Sequence, residues 1–363
     1  MPGSSSIDLL KSITKDQTDI GRPVRPRSVY TAYPYVDAGE NRTQRFADQH
    51  KVYDILPPSE QWMPSPSTSP PITISHLALA QLWRQQARNA KRLQPSCYLS
   101  DQGYMENWRE PDADVGIGAA VATSHGTISL WLRERVRIDM TVDQAIRIIN
   151  RKNNIVLTLS SSGSTSSLIH PNGRVYQYGS RVEIMANDPH GNNKYAKMWY
   201  KGVSFTSEKC ALVYLVDSGG TRSTADNFLQ MTQDFSVSVF YTGSRYGPSC
   251  SQEVISVLQN GQYWMTDDLT QNWIINGIRI SQTRDGLVRV ACNNNKYQLR
   301  TSPSNGNASL STPFVHCTAS MGQTSHLFVR RGERRMHYDG SSFIVRNAGH
   351  SAGFDEKNQL KVY

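Results

Sequence analysis

The run Ser167-Leu168-Ile169-His170-Pro171-Asn172-Gly173-Arg174-Val175-Tyr176-Gln177-Tyr178 sets a Pro-Asn-Gly turn between two strand-like stretches, and its reading decides the fold. Asn-Gly supplies the positive φ values of a type I′ turn, whose twist matches that of the strands it joins. Four further X-Gly dipeptides repeat the arrangement. Ser218-Gly219 follows Ala211-Leu212-Val213-Tyr214-Leu215-Val216, and Asn260-Gly261 precedes Gln262-Tyr263-Trp264. Asp285-Gly286 precedes Leu287-Val288-Arg289-Val290, and Asp339-Gly340 precedes Phe343-Ile344-Val345. The C-terminal three quarters therefore reads as a series of antiparallel hairpins, and the expected fold class is mainly β. The turn glycines lie 46, 42, 25 and 54 residues apart, too irregular for a propeller or a solenoid.

Outward from the turns, alternation marks the strands. Ile128 to Ile138 alternates apolar even positions with polar odd ones, apart from Glu134 and Trp131, and reads as one long half-buried strand. Arg133, Arg135 and Arg137 would then project from one face in a row about 7 Å apart. Ile155, Leu157 and Leu159 repeat the pattern, as do Val237, Val239 and Tyr241 against Ser236 and Ser238. Thr141 to Asn150 fits either a strand or a short helix. The polar stretch Asn187-Asp188-Pro189-His190-Gly191-Asn192-Asn193 makes a break that could divide the all-β region 96–363 near 187–195.

Residues 1–72 are of another kind. Arg22-Pro23-Val24-Arg25-Pro26-Arg27, Pro57-Pro58 and Pro64 to Pro71 carry proline at a density that blocks helix and sheet hydrogen bonding, so a disordered Pro-rich arm is expected. Its spaced anchors, Tyr33, Tyr35 and Trp62 among them, point to ordering along a partner or along the β region. Residues 73–95 read as one amphipathic helix, with Leu82 and Trp83 on its apolar side and Arg84, Arg88, Lys91 and Arg92 opposite. Such a helix packs on the β region, or fits an acidic partner groove or a membrane surface.

With 363 residues, 38% apolar content and a mean hydropathy of −0.51, the chain holds one large β region diluted by a polar extension. There is no apolar run long enough to span a membrane and no secretory leader pattern, so a cytoplasmic location is expected. The cysteines Cys97, Cys210, Cys250, Cys292 and Cys317 are odd in number, scattered and without a C-x-x-C pair, and they read as reduced thiols buried mostly in strands. Val115-Gly116-Ile117-Gly118 lacks the strand-to-helix context of a dinucleotide loop. No G-x-S-x-G, Walker loop or H-E-x-x-H occurs. Adjacent His316-Cys317 on a strand point to opposite faces and cannot chelate one ion. No catalytic residue, cofactor or metal is expected, and the chain reads as non-enzymatic.

The net charge of +9 permits nucleic acid, acidic lipid or an acidic protein surface as partner and does not choose among them. Beside the helix, two arginine groups offer guanidinium forks for carboxylates or phosphates: Arg133, Arg135 and Arg137, and Arg330, Arg331, Arg334 and Arg335 around Gly332. The hairpin Ser167 to Tyr176 resembles one in the C-terminal β-rich domain of glutamate-rich protein 6 type proteins, although this chain has no glutamate-rich arm. That resemblance implies a non-enzymatic β module, possible in a flagellar, ciliary or germline assembly. The leading expectation is a structural or adaptor protein whose arm and helix dock on a larger, cytoskeletal assembly with an acidic surface. The alternative is a β protein that binds RNA or single-stranded nucleic acid.

Overall fold

Short turns force each strand to pair with the one before it, so the chain builds its sheets one neighbour at a time. In a computed structural model, residues 118–363 and two short strands are described, β1 (Lys91–Arg92) and β2 (Ser96–Cys97). The first sheet continues through β3 (Ala120–Ala122), β4 (Ile128–Leu132), β5 (Val136–Met140), β6 (Ile146–Asn150), β7 (Ile155–Leu159) and β8 (Thr165–His170). It goes on through β9 (Gly173–Tyr178), β10 (Arg181–Ala186), β11 (Lys194–Trp199), β12 (Gly202–Ser207), β13 (Val213–Asp217) and β14 (Gly220–Thr224). Two helices follow, α1 (Ser236–Tyr241) and α2 (Ser251–Gln259).

The second sheet holds β15 (Gln262–Met265), β16 (Gln271–Ile275), β17 (Ile278–Gln282), β18 (Val288–Cys292), β19 (Tyr297–Ser302) and β20 (Asn307–Ser311). It ends with β21 (His316–Ser320), β22 (His326–Arg331), β23 (Arg334–Tyr338), β24 (Phe343–Asn347), β25 (His350–Phe354) and β26 (Leu360–Val362). Each sheet is thirteen-stranded and in sequence order, except that β1 pairs with β15 at the head of the second. All pairings are antiparallel apart from β2 with β3.

The two sheets lie face to face and run in the same direction. Arg133 N–H donates to Gln282 Oε1 at 3.0 Å, Asn150 Nδ2 to Thr301 Oγ1 at 3.0 Å, and Asn347 Nδ2 to Val216 O at 3.1 Å. Between them sits one apolar layer, built from alternate positions such as Ile138, Ile148, Leu157, Ile184 and Phe205 against Ile280, Val290, Leu299, Val329 and Phe343. Burying such side chains is worth about 1.5–3 kcal/mol each, the main term holding the layers together. Cys250, Val254 and Leu258 of the α2 region join this core, and α2 packs on β3.

Several sequence expectations are corrected. The stretch Ile128 to Ile138 is two strands, because Glu134 (φ 62°) and Arg135 (φ 61°) turn the chain between them. The run with Val237, Val239 and Tyr241 is α1, and its buried Ser236, Val239 and Phe240 follow the i, i+3, i+4 spacing of a helix. Asn260-Gly261 ends α2 rather than making a hairpin. Residues 187–193, where the sequence allowed a division near 187–195, form a loop between β10 and β11, which pair within one sheet. Lys91–Arg92, the end of the expected helix, is extended and pairs with Gln262 and Tyr263, whose edge backbone groups need partners. The rest of the helix and the arm lie outside the described residues. Thr141 to Asn150 resolves into β6 and the turn before it.

The Asn172-Gly173 turn is a hairpin of a different type from the one expected. Pro171-Asn172 form the two-residue loop and Gly173 pairs with His170. A Cβ on Gly173 (φ 151°) would lie 2.2 Å from Met185 O and 2.7 Å from Leu327 Cδ2, so close approach of backbones is what demands glycine. Loops with positive φ at both central residues occur at Asn276-Gly277 and Ala348-Gly349.

Candidate functional site

The outer faces of the two sheets differ in what covers them. After β14 the chain runs back along the outside of the first sheet as a strap. Lys197 on β11 pairs with Asp226 and donates to Asn227 O at 2.7 Å. Arg174 on β9 reaches Thr232 O at 2.5 Å, and Tyr176 stacks on Phe235 with centroids 4.3 Å apart. Next α1 lies over β6, β7 and β8. Arg245 N–H then donates to Asp143 Oδ2 at 2.9 Å, and Gly247 N–H to His125 O at 2.6 Å. The contacts step from β11 to β9, then to β8–β6, and finally to the turns before β6 and β4, so the strap retraces the sheet to its start. Burial under it pushes the Glu183 carboxyl up, against the pull of the Lys197 charge. Elsewhere on this face charges are matched, as in Arg137 with Asp139 at 2.9 Å and Arg222 with Asp217 at 2.5 Å.

No described segment lies over the outer face of the second sheet. Its strands β15 to β26 carry Arg279, Arg289, Arg300, Arg330, Arg331, Arg334, Arg335, Arg346 and Lys361, and not one aspartate or glutamate. Alternation places Arg289, Arg300, Arg330, Arg335 and Arg346 outward and exposed, between buried neighbours such as Val288, Val290, Leu299, Val329, Met336 and Val345. Register makes several of them direct cross-strand partners: Arg289 with Arg300, Arg330 with Arg335, and Arg335 with Arg346. Like charges directly opposite on a sheet are destabilising. Among the described residues, none of these five arginines forms an ion pair.

The field of the arginines shows in their neighbours. His316 on β21 lies between the two groups, and burial together with the charges of Arg330 and Arg300 pushes its pKa down. His337 is lowered chiefly by burial, with Arg346 contributing. Arg300, although exposed, is itself lowered, first by partial desolvation on the sheet and then by the Arg289 charge. Its Nη2 donates to Gln298 Oε1 at 3.0 Å, and Arg330 Nε donates to Gly332 O at 3.2 Å. The acidic residues of this half of the chain sit in loops. Asp339, at the end of β23, accepts from the Ser341 and Ser342 amides at 2.9 and 2.7 Å.

The structure brings together only part of the arginines expected from sequence. Arg330 and Arg335 lie on the open face. Arg331 and Arg334 oppose each other at the hairpin end, where Arg334 Nη2 donates to Tyr200 O on the other sheet at 3.3 Å. Arg133, Arg135 and Arg137 form no row, because the β4–β5 turn intervenes. Arg133 Nη2 is bound to Thr283 O at 3.1 Å, Arg135 sits in the turn, and Arg137 pairs with Asp139 over the Trp131 ring. Arg92 has a strand backbone on β1. Tyr33, Tyr35, Trp62, Leu82, Trp83, Arg84 and Arg88 lie outside the described residues. Sequence reasoning missed Arg289, Arg300 and Arg346. Their signal was one arginine between inward apolar positions, strand after strand, with no acidic residue to match.

Four described cysteines are free thiols, with Cys250, Cys292 and Cys317 buried and Cys210 partly so. Burial raises the Cys292 thiol to about 11 and the Cys317 thiol further. Among the described residues, no cluster of His, Cys, Asp or Glu could hold a metal ion, and no helix is long and apolar enough to cross a membrane.

No curated protein matches the chain in sequence. Among solved structures, a mutant of the TCP10 domain of Danio rerio CPAP is similar at 9% identity and a TM-score of 0.19, over 68% of this chain and 99% of that one. The wild-type domain in complex with a peptide of Danio rerio STIL gives 9% and 0.18, over 65% and 98%. The SAS-4 TCP domain of Drosophila melanogaster, in complex with a proline-rich motif of Ana2, gives 9% and 0.16, over 63% and 89%. At these values no role is transferred. Residues 119–360, nearly the whole of the double sheet and its strap, match one family, and the chain belongs to it: the domain of unknown function DUF8796.

Proposed function

We propose that this protein is a non-catalytic docking platform, on which the open arginine face of the second sheet binds an acidic protein partner. The observation that carries this reading is a row of cross-strand arginine pairs with no carboxylate on any strand of that sheet. Such repulsion lowers stability, and an anionic partner would relieve it. The strapped first sheet is the stiff backing. Single-stranded nucleic acid is the less favoured occupant: stacking bases need aromatic platforms, and the arginine rows carry Phe328 as their one such ring besides imidazoles. The buried free thiols agree with a cytoplasmic setting. A cytoskeletal or axonemal assembly in germline or ciliated cells, and the resemblance to glutamate-rich protein 6 type proteins, belong to the same proposal. So does a supporting contact from the N-terminal arm and the helix expected at 73–95.

The test is fluorescence anisotropy of a labelled glutamate-rich peptide with the full chain and with an Arg300→Glu, Arg335→Glu double variant. Binding that falls with salt and at least tenfold in the variant is expected. Binding unaffected by the reversal would remove the platform reading. A labelled single-stranded RNA that binds more tightly than the peptide would replace it with the nucleic-acid reading.

A further inference from the structure

Within that docking reading, on which the following rests, the arginines are not spread evenly. They form two clusters on one face: Arg289 and Arg300 on adjacent strands β18 and β19, and Arg330, Arg335 and Arg346 on the successive strands β22, β23 and β24. The strands between them present the small or neutral side chains Ser309, Ser311 and Thr318, with His316 held by Ser311 Oγ at 2.6 Å. Neighbouring strands are about 4.8 Å apart, so three guanidinium stems stand within roughly 10 Å of one another in the second cluster.

A carboxylate has one charge and two oxygens, too little to satisfy three adjacent guanidinium groups. A phosphate monoester carries about −1.5 to −2 charges at neutral pH and three strong acceptor oxygens, which can take forks from several arginines at once. We propose that this face binds a peptide carrying two phosphorylated serine or threonine side chains, one at each arginine cluster. From Arg300 to Arg330 is three strand spacings across and one two-residue step along, roughly 16 Å, which about five residues of extended chain span. The phosphate of the first residue sits over Arg289 and Arg300, and that of the second over Arg330, Arg335 and Arg346. The peptide crosses the strands over Ser309, Ser311, Thr318 and His316, none of which is large enough to obstruct it. The phosphates stay on the peptide, and no bond is made or broken.

The experiment measures binding of four labelled probes to the full chain: a peptide with phosphoserines five residues apart, the same peptide with serines, the same with glutamates, and a single-stranded RNA of equal length. The doubly phosphorylated peptide is expected to bind at least tenfold more tightly than the glutamate form, and the serine form not at all. Arg335→Lys keeps the charge and loses the fork, so it should weaken the phosphopeptide several-fold and leave the glutamate peptide nearly unchanged. Equal binding of phosphoserine and glutamate forms would overturn this inference and leave the acidic docking platform standing. Failure of both peptides would overturn both, and tighter binding of the RNA would assign the face to nucleic acid instead.

Discussion

The two outer faces are made by the same kind of strand and have opposite fates. On the first sheet the chain folds back over its own surface, and cations such as Arg137, Arg174, Lys197 and Arg222 meet a carboxylate or a carbonyl of the strap, of the same strand or of a neighbouring one. On the second the cations face one another. A face satisfied from within has no need of a partner, whereas one that opposes arginine to arginine is less stable than the same sheet with neutral side chains. The strapped face works for the fold, and the open face works against it.

That contrast can be broken most forcefully on the strapped side. Lys197→Met removes the cation from a pair whose side chains are only 7% and 8% exposed and leaves Asp226 and Glu183 facing each other under the strap. Losing one partner of a buried pair costs about 3 kcal/mol, which chemical denaturation would register as a fall in midpoint. Phe235→Ala, which deletes the ring stacked on Tyr176, is a milder cut at the same strap and should cost about 1 kcal/mol by the same assay. If either variant leaves stability unchanged, the strap is not what holds the first face.

Between the faces, His170 gives a pH handle on the sandwich itself. Its Nε2 donates to Gly306 O at 2.9 Å and its Nδ1 accepts from the Asn172 amide at 3.0 Å, so the neutral ring is the form that fits. Burial pushes its pKa below the ordinary value of 6.5. The unfolded chain therefore takes up the proton first. The stability it contributes is full above about pH 6.5 and is lost as pH falls through the lower folded value. Melting temperature should drop between pH 7.5 and 5, and His170→Gln, less stable at pH 7.5, should show a shallower drop. Parallel pH profiles for the two proteins would reject the assignment.

The smallest effect has the most telling sign. Arg335→Glu places a carboxylate opposite both Arg330 and Arg346. It should raise stability by about 0.5 kcal/mol, as opposite charges replace like ones across strands. The same variant should lose affinity for acidic peptides. A mutation that steadies the fold while abolishing binding is the signature of a face kept for a partner; lower stability in this variant would remove the contrast between the faces.

Much of the fold was legible in the sequence and little of the site. Asn172-Gly173, Ser218-Gly219, Asp285-Gly286 and Asp339-Gly340 all lie at hairpins, because local chain reversal needs local conformational freedom. Asn260-Gly261 misled because the same dipeptide also follows a helix end, where Asn260 caps α2 in a right-handed conformation and no type I′ turn forms. Ser236 to Tyr241 misled because six residues are too few to separate a period of two from one of 3.6. Arg133, Arg135 and Arg137 looked like a row because nothing in Arg-Glu-Arg announces a turn, and the positive φ values fall on residues that rarely adopt them.

By itself, then, the sequence determined a chain of antiparallel hairpins, with apolar alternation to bury one side of each strand and an excess of positive charge. Those features depend on neighbours along the chain, within the reach of a single turn. Only the tertiary structure decided that the hairpins make two sheets sharing one core, that the strap covers one outer face, and that arginines from five strands, spread from residue 289 to 346, stand on the other. Register between strands far apart in the chain sets which charges meet, and register follows from the packing of the whole apolar layer rather than from any one stretch of residues.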